Sequence, residues 1–134
     1  MIRTLAKAAT LTLLAAPALA AAPAPDPVKL NLAQETALRC SAAFALIAYD
    51  QQRGAPGAAS YPPLGTRGRE YFVLTTADLM DQTGATRDQV AAMFQARFRQ
   101  LQASAVQAAE PAAMVRATLT PCLAQLDIAV PAKP

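Results

Sequence analysis

The sequence predicts an all-α fold: a small four-helix domain closed by one disulfide, with an N-terminal signal peptide and a Pro/Ala leader. Three observations support this fold class. Apolar side chains recur at spacings of three and four residues, which place them on one side of a helix. Glycine and proline separate the segments that show this pattern. Two cysteines fall on the apolar faces of the first and last of these segments, as an inter-helix disulfide requires.

The beginning of the chain has the regions of a secretory signal in their usual order. Arg3 and Lys7 precede an uncharged apolar run over residues 8–16, and Pro17 ends that run. The run is shorter than the ~20 apolar residues that span a bilayer. We therefore expect a signal that is removed rather than a retained membrane anchor.

Small residues mark the cleavage site. Ala18 and Ala20 occupy the third and first positions before a cut between Ala20 and Ala21, as signal peptidase requires. A cut after Ala22 also satisfies this rule, but it places a proline directly behind the scissile bond. Residues 1–20 are therefore interpreted as the signal peptide, and the expected location is the periplasm or the exterior.

The rest of the chain divides into a linker over residues 21–30, a helical domain over 31–127 and a tail over 128–134. Prolines at three alternate positions of residues 21–27 exclude a regular helix, so we expect these residues to be extended and disordered. The tail is expected to fray. The exported part has the size of one domain.

The first helix is predicted over residues 31–53. Asn31 and Gln34 match a capping box, and Gly54 suits the left-handed position at a helix end. One stripe of this helix is expected to face the core, and the charged residues are expected to lie opposite. The core stripe consists of Ala33, Ala37, Cys40, Phe44 and Ile47, and the opposite stripe of Glu35, Arg39, Asp50 and Arg53.

Residues 54–68 are rich in glycine and proline and predict a long loop. A Tyr-Pro-Pro segment in it could serve recognition, but we expect Tyr61 and Leu64 to fold against the domain surface. A second helix follows over residues 69–83, with Phe72, Thr76 and Leu79 on its inner side. Residues 73–76 would also suit a strand.

The third helix, expected up to residue 109, shows the clearest pattern. Thr86 and Gln89 form its capping box, and its inner face should carry Val90, Phe94, Phe98, Leu101 and Ala105.

The fourth helix begins at Pro111, a favoured first position. Pro121 must either kink it or start a separate short helix at Thr120, because proline lacks the backbone donor. The inner face should carry Val115, Leu119, Cys122 and Leu126. An orthogonal and an up-and-down bundle are both compatible with these helices.

Cys40 and Cys122 are expected to form a structural disulfide, because an oxidising compartment joins paired thiols. Their spacing matches no CxxC redox or haem motif, and the chain has no histidine that would complete a zinc site. With both thiols in a disulfide, we expect neither a metal ion nor an organic cofactor.

Charge gives no support for a nucleic-acid partner. Two of the twelve basic residues lie in the signal, so ten remain against nine acids. The arginines are spread among these acids, whereas nucleic-acid binders concentrate cations on one face.

Candidate catalytic groups are few. The second helix has Arg69, Glu70, Tyr71, Asp78 and Asp81, and two carboxylates can perform acid and base chemistry. Asp78 and Asp81 are three residues apart on the less apolar side of the helix, which favours solvated surface charges. An enzyme with a site around this helix is therefore the less favoured hypothesis.

Three methionines, Met80, Met93 and Met114, invite a comparison with Cu(I) sites, since thioethers bind that ion. Their irregular spacing favours packing in or beside the core.

Three short segments carry a resemblance to known proteins: LRCSAAF over residues 38–44, GREYF over 68–72 and PCL over 121–123. With them the chain resembles a group of exported helical proteins of Gram-negative bacteria with a two-cysteine pattern, which has no assigned activity. In architecture it is also similar to the small periplasmic acid-stress chaperones. The resemblance implies an exported helical domain and carries no catalytic residue.

By exclusion, we expect a non-catalytic periplasmic protein that binds an envelope protein or a small apolar ligand. The alternatives are an acid-stress chaperone and an enzyme around the second helix. An exposed apolar groove would favour binding, whereas a pocket that collects Arg69, Glu70, Tyr71 or Asp78 would favour catalysis.

The signal leads to a direct prediction. Protein isolated from the periplasm should begin at Ala21 and lack Arg3 and Lys7, because signal peptidase removes residues 1–20. Intact-mass measurement checks this. A full-length mass in the membrane fraction would show instead that the segment is retained as an anchor.

Overall fold

The computed structural model describes residues 27–133, and the expected signal and its cleavage site lie outside them. Four α-helices and one short 3₁₀ helix account for the regular structure of this part, which contains no strand. None of the helices in these residues is both long and apolar enough to cross a bilayer. The elements are α1 (Leu32–Gln52), the 3₁₀ helix (Ala58–Ser60), α2 (Gly65–Thr83), α3 (Arg87–Gln107) and α4 (Pro111–Ala129).

Helix α1 is the centre of the domain, and each of the other three helices packs against it. Residues 40–44 are all buried. Successive residues of a helix point about 100° apart, so five consecutive buried residues mean that the helix is covered on every side. Cys40 and Phe44 have no exposed surface, and Ser41 and Ala43 have almost none.

Helix α2 runs antiparallel to α1. The Gln34 amide donates to Gln82 near one end of the pair, and Phe44 and Tyr71 meet edge to face near the other, with ring centroids 5.1 Å apart. Between them, Leu38 and Leu79 belong to the same buried cluster.

The absence of a side chain at Gly68 sets how closely α1 and α2 approach. Gly68 is buried, and a Cβ atom placed on it would lie 2.9 Å from the Cβ of Phe44. This distance is shorter than van der Waals contact, so a larger residue would push the two helices apart.

Helices α3 and α4 cover the remaining sides of α1. Val90 of α3 packs with Leu38, and Leu101 joins the core cluster that also contains Leu119 and Leu126 of α4. The hydrophobic core therefore continues from α1 to both helices.

The disulfide between Cys40 and Cys122 joins α1 to α4, and the Cα atoms of the two residues are 5.2 Å apart. Both cysteines are essentially unexposed. Closing a loop over a sequence separation of 82 residues stabilises the fold by roughly 4 to 5 kcal/mol in the chain-entropy model. The predicted all-α four-helix domain and its disulfide are thereby confirmed.

The C-terminal end is more ordered than the sequence suggested. We expected fraying from residue 128, but α4 continues to Ala129, and Val130 is buried. Arg67 explains this order, since its guanidinium donates to the Val130 carbonyl oxygen at 2.7 and 3.0 Å and forms an ion pair with Asp127 at 2.6 Å. Residues 28–30, which the sequence assigned to the linker, belong to the domain, because Val28 and Leu30 pack against the core. The preceding linker residues 21–26 lie outside the described part of the chain.

The predicted helix starts agree with the structure in α1, α3 and α4. Both capping boxes form, with Asn31 and Thr86 accepting from the backbone of Gln34 and Gln89. Helix α3 ends two residues earlier than expected. In contrast, α2 begins at Gly65 rather than at residue 69 and is fully helical, so a strand over residues 73–76 is wrong.

Proline 121 does not divide the last helix. Helix α4 continues through Pro121, so a separate helix from Thr120 is wrong. Pro121 is exposed, and so is Ala117, whose carbonyl would accept the bond from position 121 in an uninterrupted helix.

The inner faces of α3 and α4 agree with their predictions, whereas those of α1 and α2 do so in part. In α1, Ala33 is exposed, whereas the neighbouring Gln34 is buried and bonds to Gln82 of α2. In α2, Tyr71 and Thr75 are buried, while Phe72, whose ring contacts Phe94 of α3, and Thr76 are half-buried. The buried face of α2 is thus shifted by one residue, from the predicted Phe72 and Thr76 to Tyr71 and Thr75.

The contact at Gly68 gives a stability prediction. Gly68→Ala should destabilise the protein by about 1 to 3 kcal/mol, because the new methyl group overlaps Phe44. The matched control is Gly65→Ala in the same helix, where no atom lies within 4 Å of the added Cβ. Urea unfolding of both variants measures the difference. Equal midpoints would show that α1 and α2 are less closely packed than described.

Candidate functional site

The most apolar cleft described lies where the end of α1 meets the loop before α2 and the turn between α3 and α4. We call it the loop groove. Its volume is about 440 Å³. Four separate parts of the chain line it: the C-terminal half of α1, residues 56–61, the end of α3 and the start of α4. Such a cleft is of the size that accepts a small ligand or a side chain of a partner.

Ile47 and Leu46 of α1 form the floor of the loop groove, and both belong to the buried core. On the walls, Val115 is half-buried, whereas Val106 is 84% exposed. A large aliphatic side chain this exposed has no partner in the described part of the chain. The groove thus offers apolar surface that is continuous with the core.

The rim of the groove is polar. Asp50 and Arg53 form an ion pair at 2.8 Å, and the Arg53 guanidinium lies over the Tyr49 ring at 5.4 Å from its centroid. Arg116 lies on the opposite side, on α4. An apolar floor with a polar rim is the usual arrangement of a binding surface.

The loop wall is held in place by the side chain of Gln51. Its amide nitrogen lies within hydrogen-bond distance of the carbonyl oxygens of Ala58, Tyr61 and Pro62, and its amide oxygen accepts from the Leu64 backbone. Leu64 is fully buried. The expectation that Tyr61 and Leu64 fold against the domain is therefore confirmed, and the loop forms an ordered wall.

The candidate catalytic residues of α2 are not brought together. Glu70, Asp78 and Asp81 are exposed. Arg69 is also exposed and lines a separate cleft of about 250 Å³ between α1 and α2, into which none of the three carboxylates extends. Tyr71 points into the core instead. The arrangement does not form the acid and base pair that catalysis would need.

The three methionines lie in two different places. Met80 and Met93 pack against the cluster around Leu38, and Met114 packs against the cluster around the disulfide. They thus pack beside the core, as the sequence suggested, and do not form a common set of thioether ligands. Within residues 27–133, histidine, cysteine and acidic side chains also form no group of three or more that could hold a metal ion.

Sequence reasoning identified the cleft only in part. It singled out Tyr61 as a possible recognition residue and Ile47 as core, but gave no role to Val106 or Arg116. The one feature of the sequence that could have pointed to the loop groove is Val106, an aliphatic residue outside the periodic apolar stripe of α3.

Comparison of the chain with protein-family models, with curated proteins and with solved structures found no match.

Tyr71, one of the candidate catalytic residues, has a structural role instead, and it should make the stability of the fold depend on pH. Its hydroxyl donates to Gln125 of α4 at 2.9 Å. Burial raises the pKa of Tyr71, and a hydrogen bond with Thr75 opposes this by a smaller amount. The folded state therefore keeps the phenol proton at a pH where the unfolded chain has lost it.

The free energy of unfolding should consequently fall as the pH rises above about 10, the ordinary tyrosine pKa. Tyr71→Phe should reduce this fall, because no proton remains to be held. Urea unfolding between roughly pH 8.5 and 11 measures the slope. The control is Tyr49→Phe, whose side chain is largely exposed. If the free energy of unfolding falls as steeply with pH in Tyr71→Phe as in the original protein, burial of Tyr71 is not the cause of that fall.

Proposed function

We propose that this protein is a non-catalytic binding protein of the cell envelope, which holds an apolar group of a partner protein or a small apolar ligand in the loop groove. One observation carries the proposal: Val106 is exposed beside a floor that includes the core residue Ile47. Burying such surface against a ligand is favourable by about 25 cal/mol per Å².

The ordered loop supports the same function. A preformed wall loses little conformational entropy when a ligand binds, so more of the gain from burial appears as affinity. Gln51 supplies this order through its hydrogen bonds to the loop backbone.

The disulfide supports the envelope as the location. Structural disulfides persist in oxidising compartments and are rare in the cytosol. Cys40 and Cys122 are joined here, and the signal-like residues 1–20 agree with export to the periplasm or beyond. The near balance of acids and bases argues against a nucleic-acid partner.

A dye titration tests the loop groove. N-phenyl-1-naphthylamine is uncharged, and its fluorescence rises in apolar surroundings. Val106→Asp should weaken its binding at least about tenfold, because a carboxylate on the wall must lose water when the dye enters. Fluorescence titration of the purified protein measures the dissociation constant.

Ile128→Asp is the matched control. Ile128 is 83% exposed, nearly as much as Val106, and lies outside the groove. The same change of charge, from an aliphatic side chain to a carboxylate, should leave the dissociation constant unaltered at this position. Equal loss in both variants, or no saturable binding to the original protein, would rule out the loop groove as the binding site.

A further inference from the structure

A second cleft lies between α3 and α4, over the N-terminal half of α1. We call it the arginine groove. Its volume is about 490 Å³, and its lining includes Arg39 of α1, Arg97 and Leu101 of α3, and Met114 of α4. This lining shares no residue with the loop groove.

Three charged side chains line the arginine groove, and two of them neutralise each other. Arg97 donates through Nε to the Glu35 carboxylate at 3.1 Å and through Nη2 to the same oxygen. Its remaining nitrogen, Nη1, donates to the amide oxygen of Gln100 at 3.3 Å. Each of the three nitrogens of Arg97 thus donates to a partner within the protein.

Arg39 is the third charged side chain of the groove, and it has no ion-pair partner there. It lies one turn beyond Glu35 on α1 and is exposed, and no ion pair involves it in the described part of the chain. The groove therefore carries one uncompensated positive charge. A guanidinium can bind a carboxylate through two parallel hydrogen bonds.

Apolar surface accompanies this charge. Leu101 is buried at the base of the groove, and Met114 is half-buried on its wall. Leu32, which also lines the groove, is 84% exposed. An uncompensated cation beside apolar surface matches a ligand with one anionic group and an aliphatic chain.

We propose that the arginine groove binds a monoanionic amphiphile of the fatty-acid class, with its carboxylate on Arg39 and its chain along Leu101 and Met114. A single carboxylate balances the single excess charge, whereas a dianionic phosphate would place a second negative charge in the groove with no free cation to balance it. Neither the site nor the ligand depends on the loop groove.

Calorimetric titration of the purified protein with decanoate, below its micelle concentration, tests the proposal. One equivalent should bind saturably. Arg39→Gln should weaken binding at least about tenfold, as expected for loss of a charge-assisted hydrogen bond. Arg99→Gln is the control, because Arg99 is exposed on α3 outside the groove.

The uncharged analogue 1-decanol should bind at least about tenfold more weakly than decanoate, since it cannot pair with Arg39. Val106→Asp, which disables the loop groove, should leave decanoate binding unchanged. Absence of saturable binding, equal effects of Arg39→Gln and Arg99→Gln, or equal affinity for decanol would overturn the proposal. Loss of decanoate binding in Val106→Asp alone would assign the ligand to the loop groove instead.

Discussion

The enclosure of α1 by the other three helices is the constraint on which the rest of the structure depends. A helix covered on all sides needs small residues where its neighbours come closest, and α1 provides Ser41, Ala42 and Ala43 there. On the α2 side the same need is met by Gly68, which receives the Phe44 side chain. The short distance across the disulfide is possible only because α4 lies directly against this central helix. The close approach of the neighbouring helices to α1 therefore determines both the packing of the core and the position of the disulfide.

This constraint also explains which helices could be predicted. Helices α3 and α4 each bury one face, so apolar residues repeat at the helical period, and the inner residues from Val90 to Leu101 and from Leu119 to Leu126 follow from it. The middle of helix α1 is buried on all sides. A prediction that assigns only one stripe of the helix to the core therefore missed Leu38 and Leu46. For α2, helix propensity placed the start too late, because Gly68 lowers that propensity but is required by the close packing against Phe44.

The clefts could be predicted from the sequence even less well than the helices. Each is assembled from residues of three or more segments, such as Ile47, Tyr61, Val106 and Val115 in the loop groove. Periodicity assigns a residue to the inside or outside of its own helix, but it does not say which outer faces meet. What the sequence did predict is the position of Asp78 and Asp81 on the less apolar side of α2, where both are exposed.

The disulfide has one more consequence, which concerns damage to the chain. The residues between Cys40 and Cys122 include the loop with Pro56 and Gly57, both exposed. A protease that cuts this loop would separate α1 from α2 in sequence, yet the two pieces would remain one covalent molecule through the disulfide. Because α1 and α2 also bury Phe44, Leu38 and Leu79 against each other, such a nicked molecule would keep its core together. The cross-link thus allows the wall of the loop groove to be exposed to proteases without the domain coming apart.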